Sequence, residues 1–336
     1  MIITKTPFRM SFFGGGTDIP EFFNDEEGAV ISTTFDKYVY VTVRHLPRFF
    51  DFTTELAYSK LERVTKIDEL QHPMVRNAMK LLDMHELHIA YDADLPARSG
   101  LGTSSSFAVG LLNAFYRLKG KNADKKKLAD DAIYVERTMC QEAGGWQDQI
   151  AASFGGFNRI DFKNSSYHVT PIKISNERKK KLNNKLMLFF SGFTRLSSEI
   201  QKTTSNLVAD RKNYLRKILE LVDKAQNVLE DDKKDLDDFG KYLNETWMLK
   251  REISAKISTK YIDELYNKAI TAGAIGGKLL GAGGGGFLLF YVPENKQDKV
   301  RKALGLMEVP FCFDDKGTEV IYCVPEFYDH SNSLEK

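Results

Sequence analysis

Pro96-Ala97-Arg98-Ser99-Gly100-Leu101-Gly102-Thr103-Ser104-Ser105-Ser106 joins a strand-like run at 88–95 to a stretch in which Phe107, Leu111, Leu112 and Phe115 recur at helical intervals. At such a junction the first-turn N–H groups lack intrahelical partners and the helix dipole is positive, so phosphate oxygens satisfy both. Gly100 and Gly102 allow close backbone approach, and the hydroxyls of Thr103, Ser104, Ser105 and Ser106 offer donors or a magnesium ligand. A glycine turn with a serine N-cap has the same composition. The string alone leaves both readings open.

Two familiar nucleotide motifs fail their tests. Gly277-Lys278 is followed by Leu279, so the hydroxyl of a Walker A loop is missing. The glycines at 281–286 fit G-x-G-x-x-G but lead into the strand-like run 287–292, where a dinucleotide loop would open a helix.

Upstream, Arg9-Met10-Ser11-Phe12-Phe13-Gly14-Gly15-Gly16-Thr17-Asp18 ends a strand in three glycines, a hydroxyl and a carboxylate. Asp18 can accept hydrogen bonds from sugar hydroxyls, and Arg9 can neutralise a transferring phosphoryl group. An Asx-type turn beside an ordinary surface arginine is the competing account. Glu136 and Asp148 flank a helix break at Gly144-Gly145; one could hold magnesium while the other accepts or orients a substrate hydroxyl.

The rest of the chain sets limits. Of 336 residues, 42% are apolar and 28% charged, enough for two packed domains, and 48 basic against 46 acidic side chains leave no field to draw in nucleic acid. Three cysteines without a CxxC pair, no signal-like start and no apolar run of membrane-spanning length point to a reducing cytoplasm. Strands are expected at 2–4, 10–13 and 29–43, and helices at 74–82, 125–139 and, in long charged segments, 213–272. The run Arg178-Lys179-Lys180-Lys181 reads as a solvated connector near a domain boundary.

Together these segments resemble, in order and character, the GHMP kinases, the family of galactokinase, homoserine kinase and mevalonate kinase. The family's Pro-x3-Gly-Leu-Gly-Ser-Ser loop stands here as 96–104 with Thr103 for the first serine, and its third motif as Lys278-Leu279-Leu280-Gly281-Ala282-Gly283-Gly284-Gly285-Gly286. Where galactokinase has Gly-Glu-His-Thr-Asp, this chain has Gly14-Gly15-Gly16-Thr17-Asp18, a form similar to the heptose 7-phosphate kinases and the kinase domain of fucokinases. Ser191-Gly192-Phe193-Thr194-Arg195 is similar to a Thr-Arg segment of the same heptose kinases, and a surface arginine at a helix start is its plainer account.

The resemblance implies an α+β chain of two domains: an ATP-binding part at 1–180 and a ferredoxin-like C-terminal part at 181–336, with the active site between them. It implies ATP on Pro96, Ser99, Gly100, Leu101, Gly102, Thr103, Ser104, Ser105 and Ser106, with Mg2+ on Ser104 and Glu136. Asp148 and Arg9 would be catalytic, and a sugar phosphate would lie against Gly14, Gly15, Gly16, Thr17, Asp18, Arg195, Gly283 and Gly284. The expected reaction is phosphorylation of a heptose 7-phosphate on its anomeric O1, without nucleic-acid or membrane partners and with room for a homodimer. A different sugar 1-kinase, or a sensor that binds ATP or sugar without turnover, are the alternatives.

Overall fold

The structure, a computed structural model, describes residues 1–97, 99–192, 212–253, 257–281 and 283–324. Arg195, with the Thr-Arg segment, lies outside them, as do Arg98 and Ala282.

The first sheet is organised by β1 (Ile2–Phe13) and β2 (Gly28–His45), antiparallel partners from Ile2 opposite Val43 to Ser11 opposite Ser32. The two short runs expected at 2–4 and 10–13 are one strand. Thr4 and Thr6 interrupt its apolar pattern, yet both are buried: Thr4 Oγ1 donates to the Gly110 carbonyl at 3.0 Å, and Thr6 Oγ1 lies 2.8 Å from Thr318 Oγ1. Satisfied hydroxyls on β-branched side chains suit a buried strand. β3 (Thr54–Ala57), β4 (Leu61–Val64) and β5 (Leu87–Ala93) extend the sheet from β2, which also pairs β6 (Asn158–Lys163); β6 in turn pairs β7 (Ser166–Pro171).

The second sheet contains β8 (Leu186–Phe190), β9 (Gly276–Leu279), β10 (Phe287–Tyr291) and β11 (Met307–Glu308), in the spatial order β11-β8-β10-β9. Helices Lys212–Glu230, Asp237–Ile253 and Lys260–Ala272 separate β8 from β9, and Gln297–Leu304 separates β10 from β11. This is the ferredoxin-like arrangement, with helices inserted between strands of an antiparallel sheet.

The chain then returns to the first sheet: β12 (Phe313–Asp314) pairs β2 and β13 (Glu319–Cys323) pairs β1. The expected 180/181 division therefore falls inside the helix Asn176–Lys185, and two strands beyond it belong to the first sheet.

The basic run at 178–181 is not a solvated connector throughout. It lies in that helix, and Arg178 is buried, donating from Nε and Nη2 to the Val228 carbonyl at 2.9 and 2.6 Å and from Nη2 to the Lys234 carbonyl at 2.9 Å. Helical spacing turns Arg178 and Leu182 inward while Lys181 pairs outward with Glu177.

Two features aim the site. The helix Thr103–Leu118 packs on β1 so closely that a Cβ on Gly110 would lie 2.6 Å from Thr6 Oγ1, and Phe107, Leu111, Leu112 and Phe115 are all buried in its core face. At the far end of β1, Phe12 and Phe13 meet Phe239 edge-on at 5.3 and 5.0 Å, clamping the helix Asp237–Ile253 to the first sheet.

Candidate active site

The phosphate-type loop is capped by glycine. Gly102, at φ +76°, is the N-cap of the helix Thr103–Leu118 and supplies no side-chain hydrogen bond, so no serine covers the first-turn N–H groups. The simple serine-capped turn is thereby replaced by an open helix N-terminus facing a cavity of about 630 Å³.

Most of the expected residues meet in that cavity. Ser99, Gly100, Gly102, Thr103, Ser104 and Ser105 line it, as do Arg9, Gly15, Gly16, Asp18, Glu136, Asp148 and Gly283. Four others of the set, Ser106, Leu101, Thr17 and Gly14, support it from behind. Ser106 Oγ donates to the Pro7 carbonyl at 2.8 Å, tying the loop to β1, and Leu101 is fully buried. Thr17 Oγ1 donates to the Gly14 and Ala29 carbonyls at 2.9 and 3.0 Å, fixing the turn, and a Cβ on Gly14 would overlap the Ala29 carbonyl. Pro96 and Gly284 lie outside the lining.

Arg9 and Asp148, 139 positions apart, form a bidentate pair: Nε donates to Oδ1 at 2.7 Å and Nη2 to Oδ2 at 2.8 Å. Nη1 donates to the Gly100 carbonyl at 2.7 Å, linking the pair to the loop. Asp148 stands in the first turn of the helix Gln147–Phe154, where the helix dipole favours a carboxylate.

Glu136 lies in a π-helical turn, Tyr134–Met139, that continues the helix Lys125–Ile133. The single α-helix expected over 125–139 thus changes pitch at its end. The wider turn re-aims the carboxylate, a common use of such turns. Ser104 Oγ donates to Oε1 at 3.0 Å, Ser105 Oγ to Oε2 at 2.8 Å, and Gln149 Nε2 also donates to Oε2. Among the described residues no cluster of three or more His, Cys, Asp or Glu side chains forms a metal site. One carboxylate and one hydroxyl at a phosphate loop nevertheless suit Mg2+, which takes few protein oxygens and completes its shell with phosphates and water.

The opposite wall is polar and buried. Asp18 Oδ1 accepts from the Gly16 N–H at 2.9 Å and Oδ2 from the Gln147 N–H at 3.3 Å. Burial pushes its carboxyl above the usual carboxylate range, and the charge of Asp148 adds to the rise. Beside it, Ser11 Oγ and Gln147 Oε1 are buried polar atoms without a hydrogen-bond partner among the described residues, and both residues face the cavity. Such atoms suit sugar hydroxyls.

Two lysines complete the charge pattern. Lys278 is 2% exposed and donates to the Ser11 and Phe12 carbonyls at 2.8 and 3.1 Å. Lys250, from the helix Asp237–Ile253, donates to the Gly281 carbonyl at 2.7 Å. Sequence reasoning missed Lys250, Ser11 and Gln147 as site residues. Lys250 looks like one more charge on an amphipathic helix, and Ser11 and Gln147 lie in strings singled out for their neighbours.

A helix N-terminus with bare donors opposite a paired carboxylate suits the passage of a phosphoryl group to a hydroxyl, and the class is that of a small-molecule phosphotransferase. Sequence comparison carries the assignment further. Residues 70–156 match the model for the GHMP kinases N terminal domain and residues 219–307 that for the GHMP kinases C terminal, and the chain belongs to the GHMP kinase family.

The chain is 30% identical over 318 residues to the D-glycero-alpha-D-manno-heptose 7-phosphate kinase of Campylobacter jejuni, covering 90% of this chain and 93% of that protein. It is 25% identical over 330 residues to the bifunctional fucokinase/GDP-fucose pyrophosphorylase of Arabidopsis thaliana, covering 88% of this chain but 30% of that protein. Among solved structures, a D-glycero-D-manno-heptose 1-phosphate kinase from Bacteroides thetaiotaomicron superposes with a TM-score of 0.78 at 25% identity, over 96% of this chain and all of that one. The Lactococcus lactis galactokinase complexed with galactose shares the fold at a TM-score of 0.74 and 16% identity, over 95% of this chain and 94% of that one. The protein is a kinase acting on a sugar hydroxyl, in a family that uses ATP. No helix among the described residues is long and apolar enough to cross a membrane.

Proposed function

We propose that the enzyme transfers the γ-phosphoryl group of ATP to the anomeric O1 of D-glycero-D-manno-heptose 7-phosphate, giving the 1,7-bisphosphate for nucleotide-activated heptose synthesis in the cytoplasm. The observation that carries this reading is the Arg9–Asp148 pair, set between the phosphate loop and the buried Asp18 wall of one cavity. The likeness to a heptose 7-phosphate kinase over nine-tenths of the chain supports the choice of sugar.

In this reading the N–H groups at 100–105 hold the phosphates of ATP, that of Ser106 being spent on the Gly102 carbonyl, while Ser104 and Glu136 would hold Mg2+. The bound cation neutralises phosphate charge. Asp148 accepts the hydrogen bond of the acceptor hydroxyl and turns its lone pair toward phosphorus, and Arg9 fixes the carboxylate by gripping both oxygens. Asp18, Ser11 and Gln147 fix the ring hydroxyls, so the anomeric position is the one presented. Gly283 closes the cavity on the side of the third glycine motif. Outside the described residues, Arg195 is assigned to the sugar phosphate on the strength of its segment's resemblance alone.

The deciding experiment is coupled ADP release by the purified protein with ATP and Mg2+, offering heptose 7-phosphate beside fucose, galactose, mannose and mevalonate. Selective turnover of the heptose phosphate supports the assignment. Turnover of fucose instead would move the substrate to the second relative's class, and ATP binding without turnover of any acceptor would mark a sensor.

A further inference from the structure

Four cations line the cavity among the described residues: Arg9, Arg137, Lys250 and Lys278. Three are committed. The Arg9 fork is spent on Asp148 and the Gly100 carbonyl. Arg137 donates to the Ala143 and Gly145 carbonyls at 3.1 and 2.8 Å, and the buried Lys278 ammonium sits on two carbonyls of β1.

Lys250 differs. Among the described residues its ammonium makes a single hydrogen bond, to the Gly281 carbonyl, which uses one of three N–H donors; Lys278 spends two on β1 carbonyls, and Arg137 keeps only a buried Nε without a partner among those residues. That carbonyl belongs to the residue packed on Gly100, since a Cβ at Gly281 would lie 2.5 Å from Gly100 Cα. The ammonium therefore stands beside the phosphate loop. Its helix is immobilised by the fully buried Trp247 and by Phe239 against Phe12 and Phe13, and Leu215, Ile253 and Ile257 give this part of the cavity an apolar lining. A fixed charge in a place poor in water acts strongly on developing negative charge.

We propose that Lys250 is a catalytic residue that holds the phosphoryl group in transit, donating its two free N–H groups to the oxygens of that group. This rests on the kinase reading above. As the bond from the acceptor oxygen to phosphorus forms and the bond from phosphorus to the ADP oxygen breaks, the electron pair leaves on ADP and the hydroxyl proton passes to Asp148 and on to water. Lys250 neutralises charge on the moving group, and Arg9, neutralised by Asp148, positions that carboxylate.

The groups facing the ammonium are Arg9, Lys278, Asp18 and Asp148. Burial, followed by the charge of Arg9, lowers the Lys250 pKa to about 8, with Asp18 and Asp148 opposing the shift. A cation so held gains from an arriving anion.

The test compares wild type with Lys250→Met and Lys250→Arg. Calorimetry measures the binding of ADP alone, of ADP with Mg2+ and aluminium fluoride as a mimic of the phosphoryl group in transit, and of the sugar phosphate alone. For Lys250→Met the affinity for the fluoroaluminate complex and kcat should each fall about 100-fold or more, while ADP alone and the sugar phosphate bind as before. Lys250→Arg should recover part of both and remove the fall of kcat/KM above pH about 8. Unchanged fluoroaluminate binding in Lys250→Met overturns the proposal. So does a loss confined to binding of the sugar phosphate, which would give Lys250 to the phosphate the sugar already carries. If wild type turned over no sugar while fluoroaluminate binding still required Lys250, the substrate reading would fail and this role would stand.

Discussion

Gly100 and Gly281 meet back to back, each with a positive φ, +81° and +82°; a Cβ on Gly281 would lie 2.5 Å from Gly100 Cα, and one on Gly100 would lie 2.4 Å from the Leu280 carbonyl oxygen and 3.2 Å from Gly281 Cα. The phosphate loop and the third glycine motif, far apart in the chain, thus form one backbone seam beneath the cavity. Gly281→Ala would place a methyl 2.5 Å from Gly100 Cα and strain a left-handed residue. The expected outcome is a stability loss of about 1–3 kcal/mol in thermal melts and at least a tenfold weaker ATP affinity by calorimetry; intact ATP binding would deny that the seam shapes the loop.

Asp148→Asn keeps the shape of the carboxylate but leaves the Arg9 guanidinium with one good acceptor on this side chain where it now has two, beside the Gly100 carbonyl. ATP should bind nearly as in wild type, since the phosphates lie on the loop, and single-turnover transfer should slow by about 100-fold or more. Wild-type transfer rates would remove Asp148 from the chemistry.

Asp18 carries a pH signature. Because burial raises its pKa above the ordinary value, the folded protein holds this proton more tightly than the unfolded chain. Its contribution therefore favours the folded state at acid pH and is lost as pH rises through the folded pKa. Asp18→Asn keeps an acceptor for the Gly16 N–H and removes the buried charge. Near pH about 7 its melting temperature should equal or exceed that of wild type, while KM for the sugar rises about tenfold or more. A large fall in stability without a change in KM would make Asp18 a structural residue only.

Arg178→Ala removes three hydrogen bonds from a buried guanidinium to the Val228 and Lys234 carbonyls at the end of the helix Lys212–Glu230. Denaturant unfolding should show a loss of about 2–3 kcal/mol, with kcat of the folded fraction unchanged because Arg178 lies outside the cavity. A loss below about 0.5 kcal/mol would restore the solvated reading of this run.

The glycine strings were legible in the chain because few residues other than glycine adopt positive φ without strain, and Gly14, Gly100, Gly102, Gly281 and Gly283 all do so here. The helix after the phosphate loop was equally plain, since four large apolar residues at helical spacing can share one buried face. Less was legible where polar atoms go inside. Thr6 fell in the gap between the strands expected at 2–4 and 10–13, and Arg178 looked like its lysine neighbours, because a buried polar group is tolerable only with partners brought by distant segments.

Local strings thus carry the chemistry that depends on backbone freedom and on short-range periodicity: the loop, the strand that ends in glycines, the third motif. Pairing is a different matter. That Arg9 is spent on Asp148, and that Ser106 anchors to Pro7 while Ser104 and Ser105 face Glu136, follow from packing helices on the first sheet, and that Lys250 stands beside the loop follows from the clamp of Phe12 and Phe13 on Phe239. The charge of a side chain is written in its residue type, but whether that charge is neutralised or free is set by what the fold puts within hydrogen-bond reach.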